Sequence, residues 1–273
     1  MTIVFVIGAL SNTSALSARF QLNGNQSALF TSMQRLATGR KLNSGKDGPA
    51  ALIASERLNA EIASLEAQTN SLSRANANAN IADGHTAELA TLFQDLNSLV
   101  VSSANQAGMS DAELAANQMQ VDSIVASIQK FTGDAVSSLD GITLPGGGNQ
   151  DVAAQLNAAS AAAQTLVSGG SNDLASGNGE AAQAVIAQAI TDVVTSRGTI
   201  GAFQRNTIGP QIRSNQIAME NLTDANSRIR DTDFAAETSN VNRLEVLTAA
   251  NVKMLKIAQR QAASVLSLLT SKS

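Results

Sequence analysis

Residues that break helices are confined to a few places in this chain. Its 3 prolines are Pro49, Pro145 and Pro210, and glycines gather between the last two, at Gly146–Gly147–Gly148, Gly169–Gly170, Gly177 and Gly179. Neither residue type recurs between Pro210 and Ser273, a stretch that would measure about 95 Å as one α-helix at about 1.5 Å per residue. A second stretch free of both runs from Ala50 to Asp83. Glycine costs a helix interior about 1 kcal/mol relative to alanine, and proline about 3. Long windows without either predict a mainly α protein with long elements.

Apolar spacing supports this. Ala15, Leu22, Leu29 and Leu36 recur every seven residues, with Met33 in the second seam position. Ala51, Leu58, Leu65, Leu72 and Ala79 repeat the pattern, with Ile62 beside them. Towards the other end, Leu244, Leu247, Met254, Ala258, Val265 and Leu268 fit one heptad frame interrupted by Asn251 and Gln261. Such narrow stripes seek partner helices. Two readings follow: a bundle closed within one chain, or helices that pair across subunits, since both ends carry the stripe. Aromatics make up only 3% of the chain, all of them Phe. Its interior must be filled by Leu, Ile, Val and Ala, which suits thin helical layers.

Three segments interrupt the helices. Thr38 to Pro49 reads as a connecting loop, with Asp47 expected to cap a helix that starts near Pro49. Phe131 to Gly148 reads as a short β-hairpin region, in which Asp140–Gly141 is the turn and Ile142–Thr143–Leu144 is strand-like. Ser168 to Glu180 reads as a surface loop, and the stretch near 144–180 leaves room for one short helix, Val152–Leu166. Helix resumes near Ala181. The chain goes out along helices, turns, and returns, which makes its two ends neighbours.

No catalytic constellation emerges. With 0 Cys there is no disulfide, thiolate nucleophile or Cys-ligated zinc, and the single His85 lacks the second histidine of a zinc-protease helix. The net charge of -4 argues against a broad phosphate-binding surface. Arg35, Arg40, Lys41 and Lys46 sit at a helix end and loop without interleaved aromatics, so they read as helix-end and interface cations rather than a nucleic-acid site. The Gly146–Gly147–Gly148 run lacks the Lys-Ser/Thr of a phosphate loop. Ser227 lacks the glycines of a nucleophile elbow. Asp231 and Asp233 favour the N-terminus of a following helix over metal binding. No apolar run of membrane-spanning length occurs, and the start Ile3–Val4–Phe5–Val6–Ile7 is too short and lacks the basic flank of a signal peptide. Neither a metal nor a cofactor, nor any enzymatic activity, is expected.

Both ends resemble bacterial flagellins. Residues 32–51, from Ser32–Met33–Gln34–Arg35–Leu36 through Asn43–Ser44–Gly45–Lys46–Asp47 to Ala51, are similar to the family's "RLSSGLRINSAKDDAAG". Ser227 to Thr238 resembles "SRIRDTDFAAET", Val265 to Leu269 resembles "VLSLL", and Leu99 to Asn105 resembles "LAVQSAN". The resemblance covers about residues 10–142 and 181–269. It implies a subunit of the helical flagellar filament, secreted to the extracellular flagellum: exported unfolded through the flagellar channel, polymerised at the tip, and serving swimming motility. It further implies an inner coiled-coil domain of residues 1–45 and 231–273 and a second layer of residues 46–230, with almost no outer domain. Subunit packing is then expected at Leu22, Leu29, Met33, Leu36, Leu244, Leu247, Met254, Val265 and Leu268. The linker between layers is expected at Arg40, Asn43, Asp47, Arg228, Arg230, Asp231 and Asp233.

Implied partners are other copies of the chain, an export chaperone, a filament cap protein and a hook–filament junction protein, with no nucleic acid and no membrane insertion. Departures from the family pattern are the apolar arm Met1 to Gly8, the Gln261–Ala262–Ala263 run where many members carry a proline, and Asp95. Asp95 stands where immune-stimulating members carry arginine, so weak recognition by the vertebrate flagellin receptor is expected. The competing readings are a hook–filament junction protein, which shares the helical ends, and a non-flagellar coiled-coil interaction protein.

Overall fold

A computed structural model describes residues 13–104, 108–142 and 148–270. The apolar arm, residues 1–8, lies outside them. The protein is mainly α, as the breaker pattern predicts. Its helices are α1 (Thr13–Thr38), α2 (Pro49–Ala104), α3 (Asp111–Ser138), α4 (Gly148–Gln164), α5 (Gly179–Phe203), α6 (Gly209–Arg230) and α7 (Phe234–Thr270). A π-turn, Gln204–Ile208, joins α5 to α6. Two compact units result: one holds the chain's ends, up to Ile62 and from Glu220, and the other is Ala63–Met219.

Local chemistry sets the helix ends. Pro49 opens α2, where a missing N–H costs nothing. The helix then runs through Gly84, whose cost is offset by burial on either side at Ala82, Thr86 and Leu89. Ser110 and Glu113 form a reciprocal cap on α3: the Glu113 N–H donates to the Ser110 hydroxyl at 3.3 Å, and the Ser110 N–H donates to the Glu113 carboxylate at 2.8 Å. The Ser110 N–H and the Ser110 hydroxyl, both donating to it, hold the Glu113 carboxyl below its usual range. The breaker-free stretch after Pro210 is not one helix. It stops at Asp231–Thr232–Asp233, because Asp233 caps a new helix with bonds from the Ala235 and Ala236 N–H groups at 2.9 and 3.1 Å.

The expected β-hairpin region near 131–148 is not seen. Phe131 to Ser138 forms the last turns of α3, and its buried residues Ile128, Thr132 and Ala135 step by three and four, the helical rather than the strand period. Asp140–Gly141 does turn the chain, with Gly141 at φ 78, but Ile142 is not in a strand. Thr143 and Leu144 lie outside the described residues. The only β pairing among the described residues is an isolated bridge between Arg40 and Asp231.

The Ala63–Met219 unit has its own core. Leu89, Phe93, Leu96 and Val100 of α2 are buried, as are Val121, Val125 and Ile128 of α3, Leu156 of α4, and Ile186 and Ile200 of α5. Aliphatic chains dominate it, as the composition requires. Gly179 allows a close approach, since a Cβ there would lie 3.1 Å from that of Ala104. The 166–174 loop is clamped to α3. The Gln118 side chain donates to the Leu166 carbonyl and accepts from the Leu174 N–H, both at 2.9 Å. Asp122 accepts from the Ser168 hydroxyl at 2.6 Å and the Ser168 N–H at 3.0 Å. Burial raises the Asp122 pKa, but the bonds from Ser168 and Gln118 outweigh that and lower it. Replacing Phe93 with alanine is expected to destabilise this unit by about 3–5 kcal/mol, read from chemical denaturation of the full chain.

Candidate assembly interface

The two ends of the chain pair as antiparallel helices. Asn240 of α7 donates to the Ser32 hydroxyl of α1 at 2.9 Å, and Arg35 lies 4.0 Å from Glu237. On α1 the inward side chains are Ala15, Ala18, Leu22, Asn25, Leu29, Ser32 and Leu36, stepping by three and four. On α7 they are Glu237, Val241, Leu244, Thr248, Asn251, Leu255 and Ala258. Leu22, Leu29, Leu36 and Leu244 therefore lie in the seam. Met33, Leu247 and Met254 do not: each is exposed, and Ser32, Thr248 and Leu255 take the second seam position instead. The frame set by the leucines is as expected, but its alternate position falls on the other flank of each helix. Ser32 at that position accepts the bond from Asn240. The side chains of Val265 and Leu268 lie outside the described residues.

The bulky apolar residues face outwards. Leu16, Phe20 and Phe30 project from α1, with Phe20 68% and Phe30 70% exposed. At about 100° per residue they lie on the side of α1 opposite the seam. Val246, Leu247, Met254 and Ile257 project from α7, where they centre about 120° from the seam. Each helix of the pair thus carries a second apolar stripe. Exposed stripes of this kind mark interaction surfaces.

The junction between α1 and α2, and between α6 and α7, is held by backbone. The Lys41 N–H donates to the Arg230 carbonyl at 2.7 Å, and the Thr232 N–H donates to the Gly39 carbonyl at 3.0 Å. Gly39 ends α1 at φ 68, and the Phe234 ring lies 3.7 Å from where its Cβ would be. The left-handed backbone, and not the ring at ordinary contact distance, is what a side chain there would strain. Arg40 contributes through its backbone: it forms the bridge to Asp231, and its carbonyl accepts from the Asn43 side chain at 3.0 Å. The Ser227 hydroxyl donates to Asp231 at 2.6 Å. Arg228 pairs with Asp224 at 3.0 Å, an exposed pair that contributes little. Buried Nε atoms of Arg35 and Arg230 have no hydrogen-bond partner.

Asp47 does not cap α2 as expected. It sits in a single 3₁₀ turn, Gly45–Asp47, and its carboxylate reaches back to the N–H groups of Asn43 and Ser44 at 3.1 and 2.8 Å and to the Ser44 hydroxyl at 2.9 Å. Backbone donors left free by the loop outcompete those at the helix start. Several contacts were missed by sequence reasoning: Ser32–Asn240, Phe234 over Gly39, and the link from Ser55 to Asn226 at 2.7 Å. The one signal for the first was an asparagine one residue before an apolar heptad position. Away from this interface, the His85 ring packs 5.8 Å from that of Phe131.

Comparison with known proteins matches the same segments. Residues 10–142 match the bacterial flagellin N-terminal helical region, and residues 183–269 match the bacterial flagellin C-terminal helical region. The flagellar filament 30.7 kDa core protein of Treponema maltophilum is 28% identical, over 95% of this chain and 98% of that protein. The flagellin of Bacillus subtilis (strain 168) is 26% identical, over 94% and 98%. The B-type flagellin of Pseudomonas aeruginosa is 33% identical, but over 45% of this chain and 25% of its own length.

The Asp47 cradle makes a pH prediction. The Ser44 hydroxyl, opposed by partial desolvation and helped by the Ser44 and Asn43 N–H groups and Lys46, holds this carboxyl below its ordinary value of 3.8. A depressed carboxylate supports the fold at all pH above 3.8, and that support is lost as pH falls through the lowered folded value. The protection factors of the Asn43 and Ser44 amides against hydrogen exchange are expected to hold at neutral pH and to fall only in strong acid. Asp47→Asn is expected to lower them already at neutral pH.

Proposed function

The chain belongs to the bacterial flagellin family, and from that premise we infer that it is the structural subunit of a flagellar filament, acting by self-assembly and not by catalysis. The observation that carries the reading is the pair of outward apolar stripes on α1 and α7. They differ in composition and lie on different helices. Contact of the Phe20–Phe30 stripe of one copy with the Leu247–Met254 stripe of the next leaves a free stripe at each end. Such a heterologous contact repeats and grows without closing. Each large side chain buried contributes roughly 1.5–3 kcal/mol before ordering costs.

In this reading, residues 1–45 and 231–273 form the inner layer of the filament and residues 46–230 the second. Leu22, Leu29, Leu36 and Leu244 hold the two ends of one copy together. Met33, Leu247 and Met254 pack against neighbouring copies, as do Val265 and Leu268. Arg40, Asn43, Asp47, Arg228, Arg230, Asp231 and Asp233 link the layers, which the bonds between their segments support. The subunit leaves the cell through the flagellar channel, bound beforehand by an export chaperone, and polymerises beneath a cap protein on a base of junction protein. Among the described residues no helix is long and apolar enough to cross a membrane. Asp95 is exposed on α2, and its carboxylate in place of a guanidinium supports weak recognition by the vertebrate flagellin receptor.

Two measurements test this. Electron microscopy of monomer seeded with sheared filament fragments is expected to show long thin tubes with a central channel. Phe20→Ala with Phe30→Ala is expected to abolish elongation while changing monomer stability by less than about 0.5 kcal/mol. Monomer that caps the seeds without extending them would instead identify a junction protein. Purified monomer is expected to stimulate receptor-bearing cells weakly, and a strong response would overturn the reading of Asp95.

A further inference from the structure

Methionine is the oxidisable side chain of this protein. It has 6 Met against 0 Cys, 0 Trp and 0 Tyr, and its single histidine, His85, is half-buried against the Phe131 ring. A mild hydroperoxide therefore meets no thiol, indole or phenol, and thioether sulfur is the first group it oxidises. Access then decides which methionines react. Among the described residues Met119, Met254 and Met33 are exposed, at 68%, 60% and 44%, while Met109 and Met219 are half-buried.

Two of the three exposed methionines stand on the terminal helices. Met254 lies within the outward stripe of α7, between Leu247 and Ile257 and outside the Ser32–Asn240 seam. Met33 lies one helical turn beyond Phe30 on α1. Against phenyl rings such as those of Phe20 and Phe30, a thioether packs favourably. Its sulfoxide is polar and chiral, and an apolar contact offers the new oxygen no hydrogen-bond donor. Met119 is on α3 of the Ala63–Met219 unit and belongs to neither stripe.

On the reading that the two stripes are the contact between copies, we propose that Met254 and Met33 are oxidation sites that control filament growth: a hydroperoxide converts them to sulfoxides in the free subunit, which then fails to add, and packing between copies shields them afterwards. The thioether sulfur attacks one peroxide oxygen. An S–O bond forms and the O–O bond breaks. Sulfur is oxidised, the peroxide is reduced, and its other oxygen leaves and takes up the proton as water or an alcohol.

Three full-length chains test this: the parent, Met33→Leu with Met254→Leu, and Met119→Leu. Leucine keeps the apolar volume without the sulfur. Each is treated with hydrogen peroxide, cleared of it, and added to untreated seeds. The oxidised parent and oxidised Met119→Leu are expected to keep their helix content but to extend seeds about tenfold more slowly, the factor that one lost buried side chain carries. The oxidised double variant is expected to extend seeds as fast as its untreated form. In peptide maps, Met33 and Met254 are expected to oxidise in free subunits and to stay reduced in assembled filaments. An oxidised parent that grows normally, or an oxidised double variant as slow as the parent, would overturn the proposal alone. Equal oxidation of Met254 in subunit and filament, or untreated parent that extends no seeds, would overturn it together with the reading of the stripes.

Discussion

The hydrogen bond from Asn240 to Ser32 joins residues 208 positions apart and marks the register in which the two terminal helices pair. It requires a close helix pair, and a close pair requires small side chains in the seam. Ala18, Asn25 and Ser32 on one helix and Thr248 and Asn251 on the other meet that requirement. Bulky apolar residues are thereby left outside. A seam that took in Met33, Leu247 and Met254 would have buried more area within one copy. Polar seam positions also fix register at some cost in stability.

The Ala63–Met219 unit follows a different rule. Its large side chains point inwards, and Phe93, Leu96 and Ile186 are fully buried. Loop and cap bonds donated by Gln118 and accepted by Asp122 and Glu113 then close its ends. That unit has what it needs for stability in one chain. The terminal helices carry apolar surface that one chain does not cover, and a helix pair of this kind draws most of its stability from packing. The difference fits a subunit that assembles through its ends.

Much of this was legible in the sequence. Proline and glycine placement located α2, α4 and α5, and the leucine heptads named four residues of the seam. The second seam position was not legible, because heptads step by both three and four: hydrophobicity alone favours Met33 over Ser32 and Leu247 over Thr248. Only the Asn240 partner breaks the tie, and it lies at the other end of the chain. The region from Phe131 to Ile142 failed for a related reason. A short apolar run beside a turn signal fits a strand or a helix end, and the buried face of α3 decided it. The Asp47 carboxylate was placed correctly in its loop but given the wrong donors, since the backbone N–H groups it accepts from precede it.

A near-atomic electron cryomicroscopy map of the assembled filament tests the central claim most directly. The account predicts that the Ser32–Asn240 bond persists within each copy while Phe20, Phe30, Leu247 and Met254 are buried against neighbouring copies. A map in which Leu247 and Met254 enter the seam of their own copy, or in which Phe20 and Phe30 remain in solvent, would contradict it.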